Sequence, residues 1–328
     1  MTRFPMIPSI RLPLLLTVLA CAQLSAYEIA VVPKGTTHEY WKSIYAGAIK
    51  AERELNAAGV PVHILWKGPL REDDRDQQVQ VVENFIGRQV SGIVLAPLDD
   101  RALVAPVEEA VAAGIPVVII DSALKSAKIA SFVATDNREG GRLAARRLGE
   151  LLGGKGNVAM LRYAVGSAST EEREAGFLEV MNREFPGIHL VSTDQHAGAT
   201  RDTAKTSSEN LLERYGAQLN GIFASNESAA SGMLLALRDA GLNGRVKFVG
   251  FDSGDILNPG LKAGDLQGLV VQNPLRMGYL GVKTLVEVLQ GRKVAGAVDT
   301  GVGLVTPENM NTPAMVELLN PPLEEYRR

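Results

Sequence analysis

The chain has 328 residues, 46% of them hydrophobic and 22% charged. That is the composition of a folded globular protein and not of a disordered one, and the length favours two domains over a single core. With 37 acidic and 34 basic residues the formal net charge is −3, and the Lys and Arg are scattered, so no nucleic-acid partner is expected.

In chain order, the first segment reads as a targeting signal. Arg3 and Arg11 precede the apolar run LPLLLTVLA, and the small residues of CAQLSA follow. This is the order of a secretory signal peptide, expected over residues 1–26 with the mature chain starting near Tyr27. The apolar run is shorter than the roughly 20 residues that span a bilayer. Pro5, Pro8 and Pro13 argue against a buried helix. VLAC also has the form of a lipoprotein signal, which would lipidate Cys21 and tether the protein. Cys21 is the sole cysteine, so a chain cleaved after Ala26 would carry neither disulfide nor thiol.

From Tyr27 onward, short apolar runs alternate with amphipathic stretches. EIAVV is followed by Ile44, Ala48, Ala51 and Leu55 at helical spacing, then VHILW, a helix through Val82 and Ile86, and GIVLA. IPVVII, NVAML, IHLVS, GIFAS, VKFVGF and LQGLVV continue the strand series, and Gly59, Gly114 and Gly241 sit where helices should stop. The alternation predicts an α/β protein with doubly wound parallel sheets. Four or five βα units fill residues 27 to 134, and a second set opens at ATDNREGG, so two Rossmann-like lobes are expected.

Ligands of open parallel sheets sit beyond the carboxyl ends of the strands. There the chain places Asp121, Asn226, Asp252 and Gln272-Asn273, while the first strand leads into PKGTTHEYWKSI with His38, Tyr40 and Trp41. Arg173 enters a helix in GSASTEEREAGF. Each has a plain structural alternative: Asp and Asn cap helices, an arginine among glutamates is commonly solvated, and either aromatic would serve as a core anchor. Taken together, carboxylates, amides and a guanidinium converging with aromatic rings suit a sugar. Its hydroxyls need donors and acceptors, and its C–H face packs on a ring.

Rival chemistries lack their signatures. The first βα turn has no G-x-G-x-x-G for a dinucleotide, and GGKG precedes a strand instead of following one. His38, His63, His189 and His196 are dispersed, so neither a metal nor a cofactor is expected. A G-x-S-x-G elbow is absent. A glycosidase would have to use Asp121 and Asp252 as its carboxylate pair, but hydroxyl binding accounts for both without catalysis, and no enzyme is expected.

The segments IPVVIIDS, VATDNREGG, STEEREAGF, GIFASNESAASG, VGFDSGD and QNPLRMGYLGV, in that order, resemble the ribose/galactose-type periplasmic substrate-binding proteins of ABC sugar transporters, exported relatives of lactose-repressor-type ligand domains. The resemblance covers essentially the whole mature chain. It implies a three-stranded hinge with crossings near Thr135-Asp136, Gln272-Asn273 and Thr300 to Val302. The first lobe would then comprise residues 27–134 plus 273–301, and the second 135–272 plus 302–328. By the same resemblance His38, Tyr40, Trp41, Asp121, Arg173, Asn226, Asp252 and Gln272 are ligand-binding positions. The ligand would be a monosaccharide or polyol, the partner an ABC permease in the inner membrane, the compartment the periplasm and the protein a monomer. A periplasmic sensor presenting its ligand to a membrane kinase or chemoreceptor is the alternative. Two departures separate the chain from the ribose type. Ser122 stands where an arginine follows the aspartate, and DQHAGAT replaces a second aromatic wall, for which Tyr163 would compensate if it turns inward.

Overall fold

The computed structural model describes residues 25–326; the expected signal segment, with Cys21, lies outside the described residues except for its last two positions. Two six-stranded sheets divide the chain. The first holds β1 (Tyr27–Val32), β2 (Val62–Trp66), β3 (Gly92–Leu95), β4 (Val117–Ile120) and β5 (Ser131–Ala134). The second holds β6 (Gly156–Leu161), β7 (Ile188–Ser192), β8 (Gly221–Ala224), β9 (Lys247–Phe251) and β10 (Gly268–Gln272). A late strand joins each: β11 (Ala297–Asp299) pairs with β5, and β12 (Val302–Val305) pairs with β10. β3, β4 and β8 are buried along their whole length. That explains their unbroken apolar runs, since helices cover both faces of such sheets.

The helices of the first lobe are α1 (Glu39–Ala57), α2 (Arg75–Gly87) and α3 (Val104–Ala112). Those of the second are α4 (Asn137–Leu151), α5 (Ala168–Glu184), α6 (Arg201–Tyr215), α7 (Glu227–Asp239) and α8 (Leu257–Ala263). α9 (Pro274–Leu289) returns to the first lobe, where Met277, Val282, Leu285 and Val286 join the core built on α1. α10 (Pro313–Leu319) sits on the second, with Leu319 in its core. Gly59, Gly114 and Gly241 lie just past the ends of α1, α3 and α7 with φ of 78°, 82° and 64°, the left-handed conformation that closes a helix cheaply only without a Cβ.

Three segments connect the sheets: residues 135–136, residue 273 and residues 300–301. The Thr135 and Thr300 hydroxyls lie 3.3 Å apart where two of them run side by side. Not all pairing is parallel. β12 runs antiparallel to β10, because the chain re-enters the second sheet at the hinge, where Val302 stands opposite Gln272 at the carboxyl end of β10, and runs back from there. Gly301 makes the link from β11 at φ 89°, its N–H bonded to Asp299 Oδ1 at 2.9 Å. The sequence reading groups residues 302–328 with the second lobe; the turn Leu323–Tyr326 instead lies on α1 of the first. Arg53 Nη1 donates to the Glu325 carbonyl at 2.5 Å and the Tyr326 ring packs against the first core, so apolar contact draws the chain end across.

Candidate functional site

In each lobe one strand ends in an aspartate with a left-handed backbone. Asp121 follows β4 with φ 64° and Asp252 follows β9 with φ 68°. The N–H of Asp121 bonds to Val133 O of the neighbouring strand at 3.2 Å, and that of Asp252 to Val270 O at 2.7 Å. The two lobes thus repeat one device: a strained turn at the strand end, which Asp tolerates better than most residues, projects a carboxylate out of the sheet. Neither carboxylate caps the helix that follows it.

Both line one cavity between the lobes, and all eight residues singled out from the sequence are brought to it. From the first lobe come His38, Tyr40, Trp41 and Asp121; from the second Arg173, Asn226 and Asp252; Gln272 stands at the crossing. Five further residues line it: Lys34, Glu72, Tyr163, Ser169 and Glu227. The cavity measures about 30 Å³, room for about two waters and too little for a sugar ring, so the lobes must part to admit one.

The walls are polar groups bonded to one another. Asp121 Oδ1 accepts the Tyr40 hydroxyl at 2.8 Å. Its Oδ2 stands 2.8 Å from Lys34 Nζ but receives no well-directed hydrogen bond, which leaves a buried acceptor for an incoming hydroxyl. Lys34 Nζ also reaches Ser169 Oγ at 3.2 Å in the second lobe. Arg173 is 2% exposed. Its Nε donates to Asn137 at 2.8 Å and its Nη1 to Ser225 O at 3.0 Å, and the guanidinium lies 3.9 Å over the Phe251 ring. Asp252 takes Gln272 Nε2 at 2.7 Å and the Glu227 N–H at 3.1 Å. Burial holds the Asp252 carboxyl above the usual range against the opposing pull of the Arg173 guanidinium 3.8 Å away.

Some residues both cap and line the cavity. Asn226 caps α7 by accepting the Ala229 N–H at 3.2 Å, and its neighbour Glu227 turns into the site, where its carboxylate takes the Tyr40 N–H at 3.3 Å. Burial pushes Glu227 up to about 7, against the opposing pull of His38. Asn273 caps α9, which leaves Gln272 to turn inward. Ser122 does not reach the cavity as the ribose-type arginine would; its hydroxyl accepts the Ser169 N–H at 3.0 Å across the lobes.

The aromatic wall is Tyr40 and Trp41, edge to face at 5.0 Å. Trp41 is also core, buried among Ile44, Ile29 and Met277, so the anchoring and lining roles coexist in one side chain. Glu72 accepts the Trp41 indole N–H at 2.5 Å, His38 Nδ1 at 2.8 Å and the Tyr163 hydroxyl at 2.5 Å. Burial opposes its charge, but these donors outweigh it and hold Glu72 down to about 2. His38 is desolvated too, yet Glu72 and then Glu227 raise it to about 9. Glu72 escapes sequence reading because PLREDDRD looks like a solvated charge run. Gly35 was the available hint: a Cβ there would stand 2.8 Å from Glu72 Cγ, so the missing side chain makes its room. Tyr163 does turn inward and lines the cavity.

A family model described as a periplasmic binding protein domain matches residues 29–293. The chain belongs to this family. Among curated relatives, this periplasmic binding protein is 32% identical to a D-ribose/D-allose-binding protein of Pseudomonas aeruginosa over 85% of its own length and 88% of the relative's. It is 31% identical to a ribose import binding protein of Bacillus subtilis, over 78% and 80%. Among solved structures it resembles a carbohydrate transporter solute binding protein of Agrobacterium radiobacter in complex with D-arabinose, with 37% identity, TM-score 0.85, and coverage of 90% of this chain and 100% of that one. An ABC transporter solute binding protein of Agrobacterium vitis with bound D-fucose gives 35%, 0.84, 89% and 99%. Membership sets aside the dehydrogenase and glycosidase readings, since these relatives are binding proteins of transport systems and not enzymes.

Proposed function

We propose that this protein captures a monosaccharide or polyol between its closing lobes in the periplasm and delivers it, as a monomer, to the permease of an ABC importer. The observation that carries the reading is the convergence of three cations, four carboxylates, two amides and an aromatic pair from both lobes on one cavity. Such a mixture matches the alternating donors and acceptors of sugar hydroxyls. Tyr40 and Trp41 supply the ring, Asp121 and Asp252 accept hydroxyls from opposite lobes, and Arg173, Asn226, Gln272 and His38 complete the set. Because the groups belong to two lobes, ligand favours the closed form by its differential affinity for it. Relatives with import or ABC transport in their names favour delivery over sensing. Export through residues 1–26, or tethering at Cys21, belongs to the same proposal.

A thermal-shift screen of monosaccharides and polyols tests it. A ligand at 100 times its Kd stabilises the fold by roughly 2.7 kcal/mol, a clear rise in melting temperature. Failure of D-ribose, D-allose, D-arabinose, D-fucose, common hexoses and polyols all to shift the melt would overturn the proposal.

A further inference from the structure

Glu72 is the most heavily engaged acceptor in the cleft and is 7% exposed. Oε1 takes the Trp41 indole and the His38 ring, and Oε2 takes the Tyr163 hydroxyl. With three protein donors converging on two oxygens, Glu72 acts on a ligand chiefly through the groups it holds. Those groups come from both lobes: Trp41 and His38 from the first, Tyr163 from the second. Tyr163 is itself fixed, since its N–H bonds to Glu174 Oε1 at 3.1 Å, and the buried Glu174 also holds Arg162 at 2.7 Å and Ser225 at 3.0 Å. A rigid hydroxyl of one lobe therefore meets the carboxylate that orients the aromatic wall of the other.

We propose that Glu72 is the positioning residue of the cleft, setting the Trp41 ring from within the first lobe and latching the closed lobes through the Tyr163 hydroxyl, so that wall geometry and closure are one event. The inference rests on the reading of this cavity as the ligand site. Open lobes separate Tyr163 from Glu72, and the carboxylate then keeps only its own lobe's donors and water. A hydrogen bond to a charged, buried acceptor is stronger than one between neutral groups, so the latch adds to whatever the ligand contributes to closure. It also makes the strength of closure depend on two residues that need not touch the sugar.

The test uses the full protein and a sugar identified by the melt screen. Tyr163→Phe keeps the ring and removes the hydroxyl, and Glu72→Gln keeps the size and removes the charge. Each should weaken binding about tenfold to a hundredfold, the equivalent of one hydrogen bond to a charged group. Because both act on one bond, the double variant should be no weaker than Glu72→Gln to within about threefold, the coupling expected of residues in contact. Gly35→Ala, which crowds Glu72 without altering its chemistry, should reproduce part of the loss. Small-angle scattering of the protein without sugar should show Tyr163→Phe more expanded than wild type. Losses that multiply in the double variant, together with unchanged scattering, would overturn the latch. If Glu72→Gln does not fold, Tyr163→Phe decides alone through affinity and scattering. If no sugar binds the wild type, the transport reading fails, while scattering still reads the latch.

Discussion

At the scale of single residues, His38, Glu72 and Glu227 show how burial and partners set charge inside a cleft. His38 is raised to about 9, so its contribution to folding stability is full below its ordinary 6.5 and is lost as the pH rises through 9. Glu72, at about 2, contributes in full above 4.5 and loses that as the pH falls through 2. Glu227, pushed up to about 7, lowers stability increasingly as the pH climbs from 4.5 to 7, because burying its ionised form is unfavourable. Together they place the highest stability near pH 4.5, above which the ionising Glu227 lowers it. Thermal stability measured across pH should fall toward pH 9, and His38→Gln should flatten the limb above 6.5; an unchanged alkaline limb would show that His38 is not the titrating group. Asp121 invites a second prediction. Asp121→Asn keeps a residue that tolerates the left-handed backbone but removes the charged acceptor and strands the Lys34 ammonium. Affinity should drop about tenfold or more, and denaturant titration should register a loss of roughly 3 kcal/mol, as when one partner leaves a buried ion pair. Equal affinity in Asp121→Asn would remove it from the site.

At the scale of elements, close helix pairs aim the charges. Arg173 is carried by α5, which lies so near α4 that a Cβ on Gly141 would fall 1.9 Å from Arg173 O, and one on Gly176 2.1 Å from Arg138 O. Both obstacles are backbone, so neither yields by a rotamer change. Gly141→Ala must push α5 away and shift Arg173 off Asn137 and Ser225. We expect a destabilisation of about 1 to 3 kcal/mol, the range for overpacking, with affinity reduced as well. A melt and a titration on the same sample check both, and a variant equal to wild type in each would show that the pair relaxes freely. The Rossmann-like alternation and the glycine stops after α1, α3 and α7 were legible in the sequence because they rest on local periodicity and on φ. β5, β11 and β12 were not read as strands. They are three or four residues long like β3, β4 and β8, but SFVA, AVD and VGLV lack the unbroken run of large apolar residues that marks those strands, and they exist because sheet edges elsewhere in the chain receive them.

At the scale of the whole molecule, three crossings and a C-terminal return join the lobes. The return rests on the half-buried Tyr326 ring, which packs against the first core and lies 5.7 Å from the Arg53 guanidinium, and on the Arg53 bond to the Glu325 carbonyl. Tyr326→Ala should therefore cost about 1 to 2 kcal/mol, a half-buried ring's apolar contact plus a cation–π contact, as read by denaturant titration, with sugar affinity unchanged. A large affinity change would instead make the chain end part of closure. Closure itself is written in contacts between distant residues, such as Ser169 with Ser122 and Tyr40 with Glu227, and no stretch of sequence contains both members of such a pair.

The sequence by itself determined the α/β alternation, the two batches of strands, and the residues that end them: Asp121, Asn226, Asp252 and Gln272 fall at strand ends wherever the lobes face, so topology alone delivers them to the cleft. Position along a strand is local information, and a polar residue there has few other places to go. Only the tertiary structure decided the rest. It turned Glu72 inward from a charge run, paired Lys34 with Asp121, made Trp41 core and wall at once, and turned Tyr163 into the cavity. Those choices depend on which groups meet across the lobes, and a buried charge is stable only with the partner that the folded chain brings to it.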